Sequence, residues 1–343
     1  MKNSNLSFLV VGAGAIGGIT AALLKRNGYD VEIICRQSDY ANRISTEGIN
    51  VSGYCGSFNV KINAYSSFSE IRGKKDIILH ATKATEIIES SRQAINVLNE
   101  SGFVVSMQNG LCEDTIASVF GRDRTIGCVT GWGATMLSHG NFEMTSGGDF
   151  ILGYPWRNPD KFLDELADML SCVVPVRVTD NILGHLYSKL IINSCISSLG
   201  ALCGLYLGTM LKSRKVRNIF IEIIREAVAV GDAMKIRIEV FGGKLDFRKF
   251  LAGNGFIHDL RRHLTIRVIG FKYRRLKSSS LQSIIRGGRS EVDFFNGYIA
   301  AKGKDLGVPV PVNTAIVEMI HQIEEKKREI GPANFNENVF DIF

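Results

Sequence analysis

The chain has 343 residues, 45% of them hydrophobic and 22% charged, and a net charge of +7. That length exceeds what one hydrophobic core needs and suits two domains, and the balance excludes a disordered or low-complexity polymer. Seven cysteines, odd in number and without a Cys-x-x-Cys pair, and six histidines without a His-x-x-x-His pair exclude a disulfide framework and a metal cage.

Residues 8–11 form an apolar run too short for an export signal and broken at once by Gly12, so a cytoplasmic protein with reduced thiols is expected. The run reads as a buried strand, residues 16–27 as an Ala/Leu-rich helix, residues 31–35 as a second strand and residues 75–80 as a later one. Residues 104–106 supply another strand, and the Gly- and Thr-rich stretch 127–153 supplies shorter ones completing the sheet. Apolar strands separated by helices predict a mostly parallel sheet covered on both faces, an α/β Rossmann-type domain over residues 1–181.

Near Asp180 the texture changes. Helical periodicity dominates over 188–211, 216–234, 290–306 and 313–328, predicting an all-α domain over residues 182–343. Residues 190–211 carry no charged side chain, but their serines, asparagine and glycines suit a helix packed inside protein rather than a membrane span. Gly307 is expected to stop one helix and Asn313 to cap the next. The basic stretch 261–277 reads as anion capture or a solvated face; it lacks the aromatic interleaving or helix-turn-helix spacing of a nucleic-acid binder.

Gly12-Ala13-Gly14-Ala15-Ile16-Gly17 joins the first strand directly to the first helix. In that setting one glycine makes the turn, the next lets a pyrophosphate approach the backbone, and the third lets helix and strand close, while the free amides of the helix start hold phosphate. An NAD site usually ends its second strand in Asp or Glu. Here Cys35-Arg36-Gln37 stands instead, and a guanidinium that pairs with a 2′-phosphate points to NADP(H). Lys83 and Asn109 each follow a strand and are expected at the cofactor edge of the sheet. Lys189 and Asn193 are four residues apart on one helix face, where an ammonium could protonate an alkoxide, although a snorkelling lysine fits the spacing equally. Ser278-Ser279-Ser280 and Glu291 offer hydroxyls for a carboxylate and an acid to hold a lysine or an amide; Glu291 alone would also serve as a first-turn carboxylate after Ser290.

Together these segments resemble the ketopantoate reductases (2-dehydropantoate 2-reductases). The resemblance rests on the glycine turn, Arg36, Lys83, Asn109-Gly110-Leu111, Lys189-Leu190-x-x-Asn193, Ser278-Ser279-x-Leu281-Gln282, Glu291-x-Asp293-x-x-Asn296-Gly297 and Gly307-Val308-Pro309-x-Pro311-x-Asn313. It implies reduction of a 2-keto acid by NADPH, with Lys189 as proton donor supported by Glu291, which also touches the cofactor. It further implies Arg36 and Lys83 by the adenosine phosphate, Asn109 by the nicotinamide, and Asn193 and Ser279 by the substrate. Departures fall on the substrate set. Ser197-Ser198 replace a second asparagine and its proline, Cys112 replaces a glycine, and Ser280 and Ser283 replace Met and Asp. They leave open a relative acting on another keto acid, carbonyl or imine, or a non-catalytic NADP(H) sensor. A homodimer is compatible with the sequence, which does not decide the oligomeric state.

Overall fold

The apolar run at the N-terminus becomes the central strand of a sheet because every side chain from Phe8 to Val11 is buried on both faces. The computed structural model describes residues 6–341 and divides into two compact units, one ending at Leu186 and the other starting at Tyr187. Unit 1 carries the strands β1 (Ser7–Val11), β2 (Asp30–Ile34), β3 (Ile49–Gly53), β4 (Phe58–Val60), β5 (Asn63–Tyr65), β6 (Lys75–His80), β7 (Leu98–Ser106), β8 (Thr125–Thr130), β9 (Gly133–Ser138), β10 (Asn141–Ser146), β11 (Phe150–Gly153) and β12 (Val176–Val178). Its helices are α1 (Ala15–Arg26), α2 (Ser38–Glu47), α3 (Ile87–Ala94), α4 (Glu113–Phe120) and α5 (Lys161–Leu170).

The main sheet runs β12-β11-β8-β7-β6-β1-β2-β5. From β5 to β8 all neighbours are parallel, and β11 turns antiparallel against β8. The expectation that stretch 127–153 completes this sheet needs correction. Only β8 and β11 join it, while β9 and β10 pair with β3 and β4 in a separate four-stranded sheet, order β4-β3-β10-β9. That second sheet gives α1 a cover. Residues 17–24 of α1 are buried all round, with one side on β1 and β2 and the other on β3, β9 and β10. Gly18 makes the fit: a Cβ there would come within 2.3 Å of the Phe142 ring. Phe142 itself is 1% exposed, which contributes about 2–3 kcal/mol of hydrophobic stabilisation.

Unit 2 is helical; among its described residues there is no strand, only an isolated bridge between Phe241 and Leu245. Its helices are α6 (Ile182–Cys203), which starts in unit 1, then α7 (Leu207–Met210), α8 (Arg214–Ala233), α9 (Phe247–Leu251), α10 (Phe256–Lys272), α11 (Ser279–Ile285), α12 (Asn296–Leu306) and α13 (Pro311–Glu324). Asn181 caps α6, its side-chain oxygen accepting from the Gly184 amide at 3.3 Å. The apolar passage 190–211 is broken by Gly204 at φ +73, so it forms two helices and not one. Among the described residues α6 is the helix long and apolar enough to cross a membrane, with mean hydropathy 1.3, and 83% of that stretch is buried inside the protein.

Two further expectations shift. The helix expected over 290–306 begins at Asn296, after a short 3₁₀ turn, so Glu291 precedes it at φ −101, ψ 25 and is not a first-turn carboxylate of a long helix. Asn313 does not cap α13. Pro311 takes the first helical position, and the carboxylate of Glu226 from α8 supplies the cap, accepting from the amides of Val312 at 2.8 Å and Asn313 at 2.9 Å and from Asn313 Nδ2 at 2.6 Å. Asn313 then accepts from Asn296 Nδ2 at 2.9 Å, and Asn296 accepts from the Ser198 hydroxyl. This buried chain ties α6, α8, α12 and α13 together. Burial lifts the Glu226 carboxyl above its usual range, and the hydrogen bonds lower it in part.

The basic stretch also divides. Arg262, 5% exposed, donates to the carbonyls of Phe250 and Leu251, and Arg261 donates to those of Lys249 and Ala252. Both close the C-terminal end of α9, where cations are favourable. Arg267, Lys272, Arg274, Arg275 and Lys277 face solvent.

Candidate functional site

In a parallel sheet the carboxyl ends of the strands are the place for a ligand. The amide of Gly12 donates to Ile34 O, that of Ala81 to Val11 O and that of Met107 to His80 O. The ends of β2, β1, β6 and β7 therefore lie side by side, and with them the segments bearing Arg36, the glycine turn, Lys83 and Asn109.

Each glycine of the turn has its own reason. Gly12 sits at φ +109, and a Cβ would strike the backbone of Ala81 and Thr82 at 2.8 Å. At Gly17 a Cβ would lie 2.1 Å from Gly12 O, so a side chain would force the turn open. Gly14 is the opposite case, with nothing within 4 Å of where its Cβ would be. It caps α1 without any side-chain cap, and the first turn, beginning Ala15-Ile16-Gly17, holds no acid. Open space before uncapped helix amides suits the pyrophosphate of a dinucleotide. Ala13 is fixed from α2: the Tyr40 hydroxyl donates to its carbonyl at 2.7 Å, and the Tyr40 ring stacks on His139 at 4.3 Å. Burial pushes the Tyr40 phenol up to about 12, so it stays a donor.

Arg36, 83% exposed, forms an ion pair with Glu86 at 2.8 Å. Glu86 closes the short turn that begins after Lys83, its amide donating to Lys83 O at 3.0 Å. Glu86 is not legible in the sequence, because an acid three residues past Lys83 carries no pattern of its own. Asn109, half-buried, follows Gln108, whose side chain is locked between the His80 imidazole and the Ser106 hydroxyl. The other His80 nitrogen meets the hydroxyls of Ser90 at 3.1 Å and Ser91 at 3.3 Å. Burial depresses the His80 pKa to about 4, so the ring is neutral and serves to pin the loop that carries Asn109.

Cys112 caps α4, and Glu113 follows it into the interior at 2% exposure. Neither Glu113 carboxylate oxygen meets a donor in good geometry. Burial pushes this carboxyl up to about 7, with the Ser106 hydroxyl and the amides of Cys112 and Glu113 offsetting it in part.

In unit 2, Lys189, Asn193 and Ser197 follow one another at four-residue steps along α6. Lys189 and Asn193 are half-buried on a helix whose other positions are mostly buried. Ser197 lies 3.4 Å from the Ser279 hydroxyl, which brings α11 onto this face. Ser278 caps α11, accepting from the Leu281 amide at 3.1 Å, and leaves Ser279 exposed. The Ser280 hydroxyl is buried without a partner. Ser198, by contrast, is spent on Asn296, so of the two serines only Ser197 stays beside Ser279. Asn296 and Asn313, both in the motifs that carry the resemblance, are buried structural links.

Family models described as ketopantoate reductase PanE/ApbA and its C-terminal part match residues 8–156 and 181–324. A 2-dehydropantoate 2-reductase of Pyrococcus abyssi is 28% identical over 92% of this chain and 97% of its own length. A crystal structure of a PanE/ApbA family ketopantoate reductase from Ralstonia eutropha superposes with TM-score 0.80 at 27% identity, covering 94% of this chain and 100% of that one. A D-mandelate dehydrogenase in a ternary structure with NADH and anilino(oxo)acetate shares the fold, with TM-score 0.79 at 21% identity over 93% of this chain and 98% of that one. With both halves matched in order and the expected α/β and all-α architecture in place, the chain belongs to the ketopantoate reductase PanE/ApbA family.

Proposed function

We propose that the protein is an NADPH-dependent 2-keto acid reductase acting on ketopantoate in the cytoplasm. The observation that carries the reading is the open cradle at Gly14, flanked along the sheet edge by the segments of Arg36, Lys83 and Asn109. Full-length likeness to 2-dehydropantoate 2-reductases supplies the substrate. The uncapped amides of α1 hold the pyrophosphate, Arg36 and Lys83 hold the 2′-phosphate, and Asn109 orients the nicotinamide. Bound NADPH supplies the hydride. Asn193 and Ser279 hold the substrate, and Lys189 delivers the proton to the oxygen as the keto carbon is reduced. Glu291 keeps Lys189 and the cofactor in position.

A second reading, another 2-keto acid, follows from one feature. Ser197 beside Ser279 offers two hydroxyls where the amide of the usual pattern would stand, and buried polar mismatches discriminate strongly between substrates. Oxidation of NADPH followed with ketopantoate beside aromatic and aliphatic 2-keto acids tests both. Turnover of ketopantoate with the highest kcat/KM supports the first; silence on it with turnover of another keto acid replaces the first by the second.

A further inference from the structure

The outward face of α10 is apolar along its whole length. Phe256, Ile257, Leu260, Leu264, Val268 and Phe271 are exposed by 78, 79, 47, 50, 66 and 73%, while Arg262, Ile266 and Gly270 face inward. At 100° per residue, the five from Ile257 to Phe271 point within about 40° of the direction of Leu264 and form a stripe about 21 Å long. Together the six expose on the order of 700 Å². That exceeds the usual largest apolar patch of a monomer, about 300–600 Å², and approaches the ~800 Å² per partner of a stable interface.

The spacing suits a second copy of this chain. From Ile257 to Phe271 the steps are 3, 4, 4 and 3, so the pattern reads the same in both directions with Leu264 at its midpoint. Two copies laid antiparallel across a two-fold axis at Leu264 set Leu264 on itself, Leu260 on the partner's Val268 and Ile257 on the partner's Phe271. Such an isologous contact closes after two copies. Arg261 and Arg267 lie about 60° to either side of the stripe, on opposite flanks, where pairing leaves them at the wet rim. A lipid surface accepts any apolar face and does not require a spacing symmetric under reversal. We propose that α10 is a self-association surface that pairs two copies of this chain antiparallel about Leu264.

The test uses the full-length protein. A cysteine placed on a two-fold axis meets its own copy, so Leu264→Cys should form a disulfide-linked dimer under mild oxidation at least tenfold faster than Ile285→Cys, which is exposed on α11. The wild type run alongside gives the background from Cys55 and Cys172, the two native thiols that are only half-buried. In sedimentation velocity at micromolar concentration the wild type should run as a dimer, and Leu264→Asp as a monomer with dimer affinity down at least a hundredfold. Circular dichroism melting of Leu264→Asp within a few degrees of wild type shows that folding is intact. A monomeric wild type, a dimer that survives Leu264→Asp, or equal crosslinking at 264 and 285 overturns the proposal. Binding of a monomeric wild type to phosphatidylglycerol vesicles would overturn it in favour of a lipid partner.

Discussion

Replacing Glu113 with glutamine should make the protein more stable at pH 8 and leave it unchanged at pH 4. The carboxyl is 2% exposed and its pKa is pushed from 4.5 to about 7, so the folded state binds a proton that the unfolded chain has already released between those two values. Stability is therefore fully present below pH 4.5, falls as pH rises, and levels off above about 7. Each pKa unit is worth about 1.4 kcal/mol, which puts the ceiling at roughly 3–4 kcal/mol, and relaxation around the charge brings the expected gain for Glu113→Gln at pH 8 to roughly 1–3 kcal/mol. Glutamine keeps the shape of the neutral acid, so at pH 4 the two proteins should agree within about 0.5 kcal/mol. Urea unfolding followed by tryptophan fluorescence is a suitable assay, since both tryptophans, Trp132 and Trp156, lie in the same unit as Glu113. An equal stability difference at pH 4 and pH 8, or a variant weaker at pH 8, would show that the folded protein holds Glu113 ionised and satisfied.

Three other outcomes follow. Lys189→Ala should lower kcat by about 10²–10⁴ while the NADPH dissociation constant, read by fluorescence quenching, stays within about twofold; unchanged turnover removes Lys189 from proton delivery. Glu86→Gln frees Arg36 from its ion pair and should tighten NADPH about three- to tenfold at low salt, with the gain shrinking at 0.5 M salt, whereas Arg36→Asp should erode the preference for NADPH over NADH. No change with Glu86→Gln but a lost preference with Arg36→Asp would show that the pair does not compete with the phosphate. Glu226→Ala leaves three buried donors at the start of α13 without their acceptor and should cost about 2–4 kcal/mol, seen as a drop in the urea midpoint; a loss under about 0.5 kcal/mol would mean that water replaces the cap.

The parts legible in the sequence are those with local causes. Phe8 to Val11, the glycine turn and the helix after it are adjacent in the chain, and their apolar periodicity and glycine spacing encode strand, turn and helix directly. The second sheet was not legible because β3, β4, β9 and β10 are three to six residues long and half-exposed, and β10 pairs with β3 across about 90 residues. Glu226 capping α13 is invisible for the same reason: its partners stand 86 and 87 residues away, while Asn313 has the composition of a cap and lies at the right place to suggest one. Of the residues behind the family resemblance, sequence spacing alone does not separate Lys189 and Asn193, half-buried on one face of α6, from Asn296 and Asn313, which lock helices together. Burial separates them. The place of Arg36 just past β2 follows from the local apolar run, whereas its pairing with Glu86 required the loop after β6 to be placed beside it.

The bond from Tyr40 to the Ala13 carbonyl has a consequence for anyone re-engineering cofactor choice. On the proposed roles, the segment that carries Arg36 and the glycine turn that would hold the phosphates are mechanically one part, joined four residues past Arg36. A graft of the whole stretch after β2 from an NADH enzyme would loosen the phosphate grip along with the specificity, and the resulting loss of both cofactors would be misread as a failed specificity switch. Exchanging residues 36 and 37 while keeping a hydroxylated aromatic at position 40 should leave that joint intact.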